Sequence, residues 1–175
     1  KIIDETNRKL EELAEKKVSA KDLYALDNFK DASGLSLKTL WPTTEAIEQV
    51  DQNYANLDLN GLSLIHLLKY GDFDVLLTGD AGVVVESRIA EEAGDVDVLK
   101  VPHHGSKTGM SELFLSIIKP EIGIISVGEE NSYGHPAKIS LDLLRKYKVK
   151  TFRTDLNGEI EILSDGKSWS IKTGR

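Results

Sequence analysis

The sequence predicts an α/β fold in which helices pack against a largely parallel β-sheet. Downstream of residue 83, three helical patterns alternate with three short apolar runs of strand length. A hairpin signal precedes this series and a second one closes the chain. With 175 residues, 40% of them hydrophobic and 29% charged, the chain has the size and composition of one globular domain.

The N-terminal third is predicted to contain one helix, one strand and two connections. Residues 5–17 have an amphipathic helical pattern, and residues 18–34 lack clear periodicity and are interpreted as a loop. Leu35–Trp41 carries spaced leucines and stops at Pro42, which predicts a short strand. The polar residues 43–60 are interpreted as a surface connection.

The remaining elements follow from alternation and turn signals. Leu62–Tyr70 and Asp74–Thr78 predict two strands joined by a hairpin at Gly71-Asp72. The predicted helices are Val83–Glu92, Ser111–Ile118 and Ile139–Tyr147, and the strands between and after them are Val96–Val101, Ile122–Val127 and Lys150–Arg153. Gly158–Leu163 and Lys167–Lys172 predict a closing hairpin.

Composition excludes several classes of protein. The absence of cysteine rules out a disulfide scaffold, a thiolate metal site and a cysteine nucleophile. The net charge of −7 indicates a soluble surface and is only weak evidence against broad, sequence-independent binding of nucleic acid. No apolar run approaches the roughly 20 residues of a transmembrane helix. Neither a glycine-rich phosphate loop nor a serine nucleophile elbow occurs.

Asp80 follows an apolar strand that ends in Gly79. A glycine lets the backbone turn sharply there, which would hold the carboxylate at the carboxyl end of the strand. In layered α/β folds, functional sites are built at that edge. The alternative is that Asp80 only caps the following helix.

His103 and His104 occupy a glycine-containing loop after the next predicted strand. Histidine is the commonest side-chain metal ligand and a natural general base near neutral pH. Adjacent residues of an extended chain point to opposite sides, so one imidazole is expected to bind a metal and the other to face substrate or solvent. The alternative is a surface loop whose histidines form only local hydrogen bonds.

His135 lies after the third strand, before Pro136, and is interpreted as a substrate-binding or proton-transferring residue, or as a helix-start residue without chemistry. If the three strands run in one direction, Asp80 and all three loop histidines meet at one edge of the sheet. His66 lies within a strand and is interpreted as structural.

Together these segments resemble the metallo-β-lactamase superfamily, and more narrowly the hydrolase domains of ComEC-type DNA-uptake proteins and their free-standing relatives. The matching segments are residues 62–65, 69–72, 76–81, 97–108, 124–128, 131–136 and 153–158. The resemblance implies a four-layer αββα fold and a hydrolase centre with one or two divalent ions, zinc foremost, with manganese or iron as alternatives. It also implies a phosphodiester substrate such as DNA, or a phosphorylcholine ester in free-standing relatives.

The resemblance assigns roles to the four candidate residues. It implies metal-ligand roles for Asp80 and His103. It implies that His104 and His135 are catalytic, with His104 beside the metals and toward substrate. The superfamily's main ligand motif, His-x-His-x-Asp-His, is absent from this sequence.

The missing motif leads to two expectations. Residues 1–175 are expected to be one domain that lacks its N-terminal portion, so that the chain alone is inactive and depends on that portion or on another chain. The alternative is a binding or structural domain on the same fold that has lost catalysis. The source is expected to be bacterial, and the location extracytoplasmic if the domain belongs to a ComEC-type membrane protein.

Overall fold

The computed structural model describes residues 28–46 and 59–175. The helix predicted over 5–17 and most of the connection predicted over 43–60 lie outside the described residues. No helix in the described part of the chain is long and apolar enough to cross a membrane.

Nine strands, four α-helices and two short 3-10 helices have both ends among the described residues, and residues 44–46 are also helical. The strands are β1 (Asn28–Lys30), β2 (Leu35–Trp41), β3 (Ile65–Tyr70), β4 (Phe73–Leu77), β5 (Val98–Lys100), β6 (Ile122–Ile125), β7 (Lys150–Arg153), β8 (Ile160–Ser164) and β9 (Trp169–Thr173). The helices are α1 (Val83–Ala93), α2 (Glu112–Ile118), α3 (Lys138–Lys146) and the single turn α4 (Thr154–Asn157), with 3-10 helices at Leu59–Leu62 and Pro102–Gly105.

One mixed sheet organises the molecule. Strands β1 to β7 lie side by side in chain order, and β8–β9 form a separate hairpin. Strands β1 to β4 are antiparallel, whereas β4, β5, β6 and β7 are parallel. The parallel order follows from the helices, because each helical crossover returns the chain to the same end of the sheet. The carboxyl ends of these four strands therefore share one edge, and the α/β class predicted from sequence is confirmed.

Several predicted boundaries needed correction. Residues 28–30, predicted within a loop, pair with β2 as β1. The strand predicted from Leu62 starts at Ile65, because the preceding residues form a 3-10 helix whose Gly61 carbonyl accepts a hydrogen bond from Trp41 Nε1 at 2.7 Å. Strand β6 ends at Ile125 and does not reach Val127, whose N–H donates to the side chain of Thr154.

Helices cover one face of the sheet and build the larger core. Leu67, Leu76 and Leu99 point to this face and are at most 3% exposed. They pack with apolar residues of α1, α2 and α3, such as Ile89 and Phe114. This packing fixes the helices against the parallel strands, and with them the loops that run from strand to helix at the carboxyl edge.

The opposite face carries a smaller core. Phe73, Val98 and Ile122 are buried there against the β8–β9 hairpin, with the rings of Phe73 and Trp169 5.9 Å apart. The described residues thus show helices, a sheet and a hairpin. The second large sheet of a four-layer αββα fold is not among them, so that finer assignment stays a prediction.

Candidate active site at the carboxyl edge of the parallel strands

Asp80 is held by a glycine turn at the end of β4. Gly79 has a φ of +53°, and a Cβ there would lie 2.9 Å from Ser63 Cβ, so both conformation and space favour glycine. The Asp80 N–H donates to Ser63 Oγ at 3.1 Å. Helix α1 has Gly82 as its N-cap, without a side-chain cap. The alternative in which Asp80 caps this helix is therefore wrong.

His103 and His104 do not have the extended backbone that the sequence argument assumed. Both are left-handed, with φ of 47° and 53°, inside the short 3-10 segment after β5. The tight turn places their rings 6.5 Å apart at an angle of 71°. The expectation that they point to opposite sides of an extended chain is corrected, because the loop folds back immediately after Pro102.

The ring of His104 lies between two oxygen acceptors. Its Nδ1 is 2.6 Å from the Ser126 carbonyl oxygen, which can only accept, so Nδ1 carries the hydrogen. In the neutral ring the lone pair is then on Nε2, which lies 3.3 Å from Asp80 Oδ1. Facing each other at this distance, the lone pair and the carboxylate can be bridged by a cation bound between them.

The chemistry of this pair fits a metal ion. Zinc–nitrogen and zinc–oxygen bonds near 2.1 Å in a tetrahedral site separate two ligand atoms by roughly 3.4 Å, close to the observed Asp80–His104 distance. Within residues 28–46 and 59–175, however, no group of three or more histidine, aspartate or glutamate side chains is arranged to hold a metal. This pair is smaller than the set of roughly four donors that a stable zinc site needs.

His135 is brought to the same place by a loop that Asn131 closes. Asn131 Oδ1 accepts the His135 N–H at 2.9 Å, and its Nδ2 donates to the His135 carbonyl at 2.8 Å. The rings of His135 and His103 lie 5.8 Å apart. Burial lowers the pKa of His135, and the two neighbouring histidines lower it further, whereas Asp80 opposes the shift. His135 Nδ1 is buried without a hydrogen-bond partner in the described structure.

Lys100 is a site residue that the sequence reading missed. Its Nζ donates to the Gly79 carbonyl at 2.8 Å and lies 3.9 Å from Asp80 Oδ1. The same carbonyl accepts the His103 N–H at 3.1 Å. Burial lowers the pKa of Lys100, and Asp80 partly offsets this effect. The sequence feature that could have identified Lys100 is a lone lysine inside an apolar strand, three residues before His103.

A cavity of about 460 Å³ opens beside these residues. Its lining residues are His104, Ser126, Val127, Gly128, Asn131, Tyr133, His135 and Thr154. Tyr133 stacks on His135, with ring centroids 6.0 Å apart and planes inclined by 15°. The cavity is large enough for a small ligand and combines polar groups with one phenol ring.

The structure thus brings together all four residues singled out by the sequence. Asp80 pairs with His104, and His103 packs against His135. Their assignments as metal ligands or catalytic groups stay predictions. His66 lies apart within β3, where its Nδ1 is 3.2 Å from Thr39 Oγ1 and burial lowers its pKa.

Three curated relatives are competence or recombination proteins of bacteria. The chain is 39% identical over 103 residues to Recombination protein 2 of Haemophilus influenzae, a match covering 59% of this chain. It is 38% identical over 104 residues to ComE operon protein 3 of Bacillus subtilis, covering 58% of this chain. It is 35% identical over 109 residues to Competence protein ComA of Neisseria gonorrhoeae, covering 61%.

These matches span a small part of the relatives' own length. The aligned region covers 13% of the Haemophilus protein, 13% of the Bacillus protein and 16% of the Neisseria protein. The similarity to competence-type proteins therefore applies to one segment of much longer chains. It supports the ComEC-like resemblance and a bacterial origin.

No protein-family model matches the chain. Among solved structures, a chain of Parabacteroides distasonis described as a candidate metal-dependent hydrolase aligns with a TM-score of 0.44 at 14% identity. The alignment covers 74% of this chain and 55% of that one. This level of similarity does not establish a shared fold.

Proposed function

We propose that this chain forms part of a metal-dependent phosphodiester hydrolase of the competence type, acting on DNA. The observation that carries the proposal is the Asp80–His104 pair, whose facing acceptor and lone pair lie 3.3 Å apart at the carboxyl edge of the parallel strands. The similarity to competence proteins supports DNA as the substrate class. A four-layer metallo-β-lactamase fold, with residues 1–175 as the C-terminal part of one domain, belongs to the same proposal.

The geometry favours His104 over His103 as the partner of Asp80 in holding an ion. Ser126 fixes the His104 tautomer, so Nε2 is free to ligate. One or two divalent ions, zinc foremost, would supply a hydroxide near neutral pH for attack on phosphorus. The missing donors would come from outside the described residues, either from other residues of the same protein or from another chain.

His135 is suited to proton transfer. Because burial and the neighbouring imidazoles hold its pKa below the ordinary value, its ring stays neutral near pH 7 and can accept a proton. Asn131 holds the backbone of His135 on both sides, which fixes the ring at the cavity wall. His103 packs against this ring and limits its orientation.

A non-catalytic binding domain is the second candidate. It is favoured by one observation: the described residues contain no group of three metal-binding side chains. In that case the cavity would bind a ligand without hydrolysing it, and the Asp80–His104 pair would share a proton.

The test compares His104→Ala with His66→Ala in the full-length protein that contains this chain. Turnover of bis(p-nitrophenyl) phosphate is measured with added manganese or zinc, beside metal content per chain. His104→Ala is expected to lose metal and at least about 100-fold in turnover, the size typical of a removed catalytic group. His66→Ala, a strand histidine, should retain both. A wild-type protein without turnover under any added metal would favour the binding domain.

A further inference from the structure

We propose that Tyr133 is a stacking platform for a nucleobase, so that the substrate of the site is single-stranded nucleic acid. This inference rests on the proposed function and adds the feature of the substrate that the site recognises. It assigns to Tyr133 a role in binding the base next to the phosphodiester, separate from the chemistry at Asp80 and His104.

The exposure of Tyr133 is the first observation. Its side chain is 82% exposed, more than any other large hydrophobic residue in the described part of the chain. An exposed aromatic ring in this position does not stabilise the core, because it buries little apolar area. It does lie at the wall of the cavity that His104 and His135 line.

The backbone of the loop that carries Tyr133 is fixed by hydrogen bonds and by a turn glycine. Asn131 makes three hydrogen bonds across the loop, to Gly128 O, His135 O and the His135 N–H, at 2.8–3.1 Å. Gly134, which directly follows Tyr133 in the chain, has a φ of +70°, a conformation that favours glycine. A ring held by such a loop loses little conformational entropy when a ligand stacks on it.

The orientation of the ring favours a flat ligand. Tyr133 and His135 are nearly parallel, inclined by 15°, so a planar group on the outer face of the phenol would continue the same stack. A quaternary ammonium group, by contrast, is held by several aromatic faces arranged as a cage. Among the residues lining this cavity, Tyr133 is the one phenol or indole ring.

A nucleobase reaches this platform only when it is free of its partner strand. In a duplex, the faces of each base are covered by its neighbours, so that exposing one base requires it to be unpaired and unstacked. Single strands offer free faces, and stacking on aromatic side chains tolerates any base. The phosphate next to the base would then lie toward His135 and the Asp80–His104 pair.

The experiment measures binding, independently of turnover, in the full-length protein. Fluorescence anisotropy follows a labelled phosphorothioate oligothymidylate and a matched oligomer whose central nucleotides are abasic. Tyr133→Ala is expected to weaken binding of the thymidylate roughly 5- to 150-fold, the range for losing one stacked base. It should leave binding of the abasic oligomer unchanged. Tyr133→Phe, which keeps the ring, should bind both like wild type.

A control variant and the contrary outcomes complete the design. Leu113→Ala removes an exposed apolar side chain on α2 and should change neither affinity. The inference is overturned if Tyr133→Ala binds the thymidylate as tightly as wild type, or loses affinity equally for both oligomers. Competition by phosphorylcholine but not by thymidylate would also overturn it. Failure of the His104→Ala turnover test with this pattern intact would remove the hydrolase proposal and leave the base platform.

Discussion

At the scale of single residues, the Gly79 carbonyl connects the parts of the site. It accepts from Lys100 Nζ and from the His103 N–H, so one oxygen links β5, the histidine loop and the turn that holds Asp80. Lys100 also lies 3.9 Å from the Asp80 carboxylate and balances its charge. These contacts define where Asp80 points before any substrate or ion binds, which is the preorganisation that an electrostatic site requires.

Glu86 is a buried carboxyl group that lies outside this network and affects the free energy of unfolding. It is 1% exposed on α1, and burial raises its pKa to about 8. Its Oε2 accepts the Ser111 N–H at 3.0 Å, while its Oε1 has no partner in the described structure. The folded protein therefore retains the proton of Glu86 at pH values where the unfolded chain has lost it.

Glu86 should make the free energy of unfolding depend on pH. From about pH 4.5 to 8 the folded state binds one more proton than the unfolded state, so the free energy of unfolding should fall with rising pH, by up to about 1.4 kcal/mol per pH unit. Glu86→Gln, always neutral, should remove this slope and be more stable than wild type at pH 8. Urea unfolding at pH 5 to 8 measures it, with exposed Glu91→Gln as control. Equal slopes in wild type and Glu86→Gln would show that burial does not keep Glu86 protonated in the folded protein.

Most, but not all, of the residues at the site could be identified from the sequence. Asp80 and the three loop histidines stand out because charged and imidazole groups follow apolar strands. Lys100 was overlooked because a lysine at one strand position looks like a solvent-facing residue until the fold shows that its ammonium turns to the Gly79 carbonyl. The pairing of Asp80 with His104 could not be predicted, because it depends on the left-handed backbone of the loop.

At the scale of elements, two loops of the site are packed on each other. Gly105, directly after the histidines, has a φ of +76°, and its carbonyl accepts the Ala137 N–H at 2.8 Å. A Cβ on Gly105 would lie 2.7 Å from Pro136 Cβ. The loop after β5 and the loop after β6 therefore fit together only with glycine at this point, which keeps His104 and His135 at one cavity.

A pair of glycine variants separates packing from backbone strain. Gly94 also has a positive φ, +65°, but no atom lies within 4 Å of a Cβ there. Gly94→Ala should cost about 1–3 kcal/mol of unfolding free energy from backbone strain alone, because Gly94 combines its positive φ with a ψ of −163°. Gly105→Ala should cost about 1–3 kcal/mol more, from overpacking against Pro136. Chemical denaturation of both variants measures the difference, and equal losses would show that the loops are not tightly packed.

The ends of strands and helices were predicted best where the sequence carries a residue, such as proline, that interrupts regular structure. Strand β2 ends next to Pro42 and matches its predicted range, as does β7. The start of β3 was wrong, because Leu62 has the apolar character of a strand residue but belongs to a 3-10 helix. The end of β6 was wrong because Thr154, distant in sequence, supplies the hydrogen bond that a strand neighbour would have made. Contacts of this kind leave no local pattern.

At the scale of the whole molecule, the two faces of the sheet differ. Leu76 on the helical face is completely buried, whereas its neighbours Val75 and Leu77, which point to the other face, are half-buried and exposed. The hairpin β8–β9 covers part of that face around Phe73 and Trp169. Alternation within strands predicted a layered α/β fold, but the number of layers depends on contacts between segments far apart in the chain.

The parallel strands of the sheet also explain why one edge carries the chemistry. Each of β4, β5 and β6 ends in a loop that bears a candidate group, and the shared strand direction gathers these loops without any long-range signal in the sequence. We propose that the gathered residues form one metal-dependent hydrolytic site in which Asp80 is indispensable.

The most direct measurement is the metal content and phosphodiester turnover of Asp80→Ala in the full-length protein. The variant is expected to lose bound metal and detectable turnover of bis(p-nitrophenyl) phosphate, because it removes both the proposed ligand and the negative charge that faces His104 Nε2. His66→Ala, measured in parallel, should match wild type. An Asp80→Ala protein that keeps full metal content and full turnover would show that Asp80 neither holds an ion nor takes part in hydrolysis.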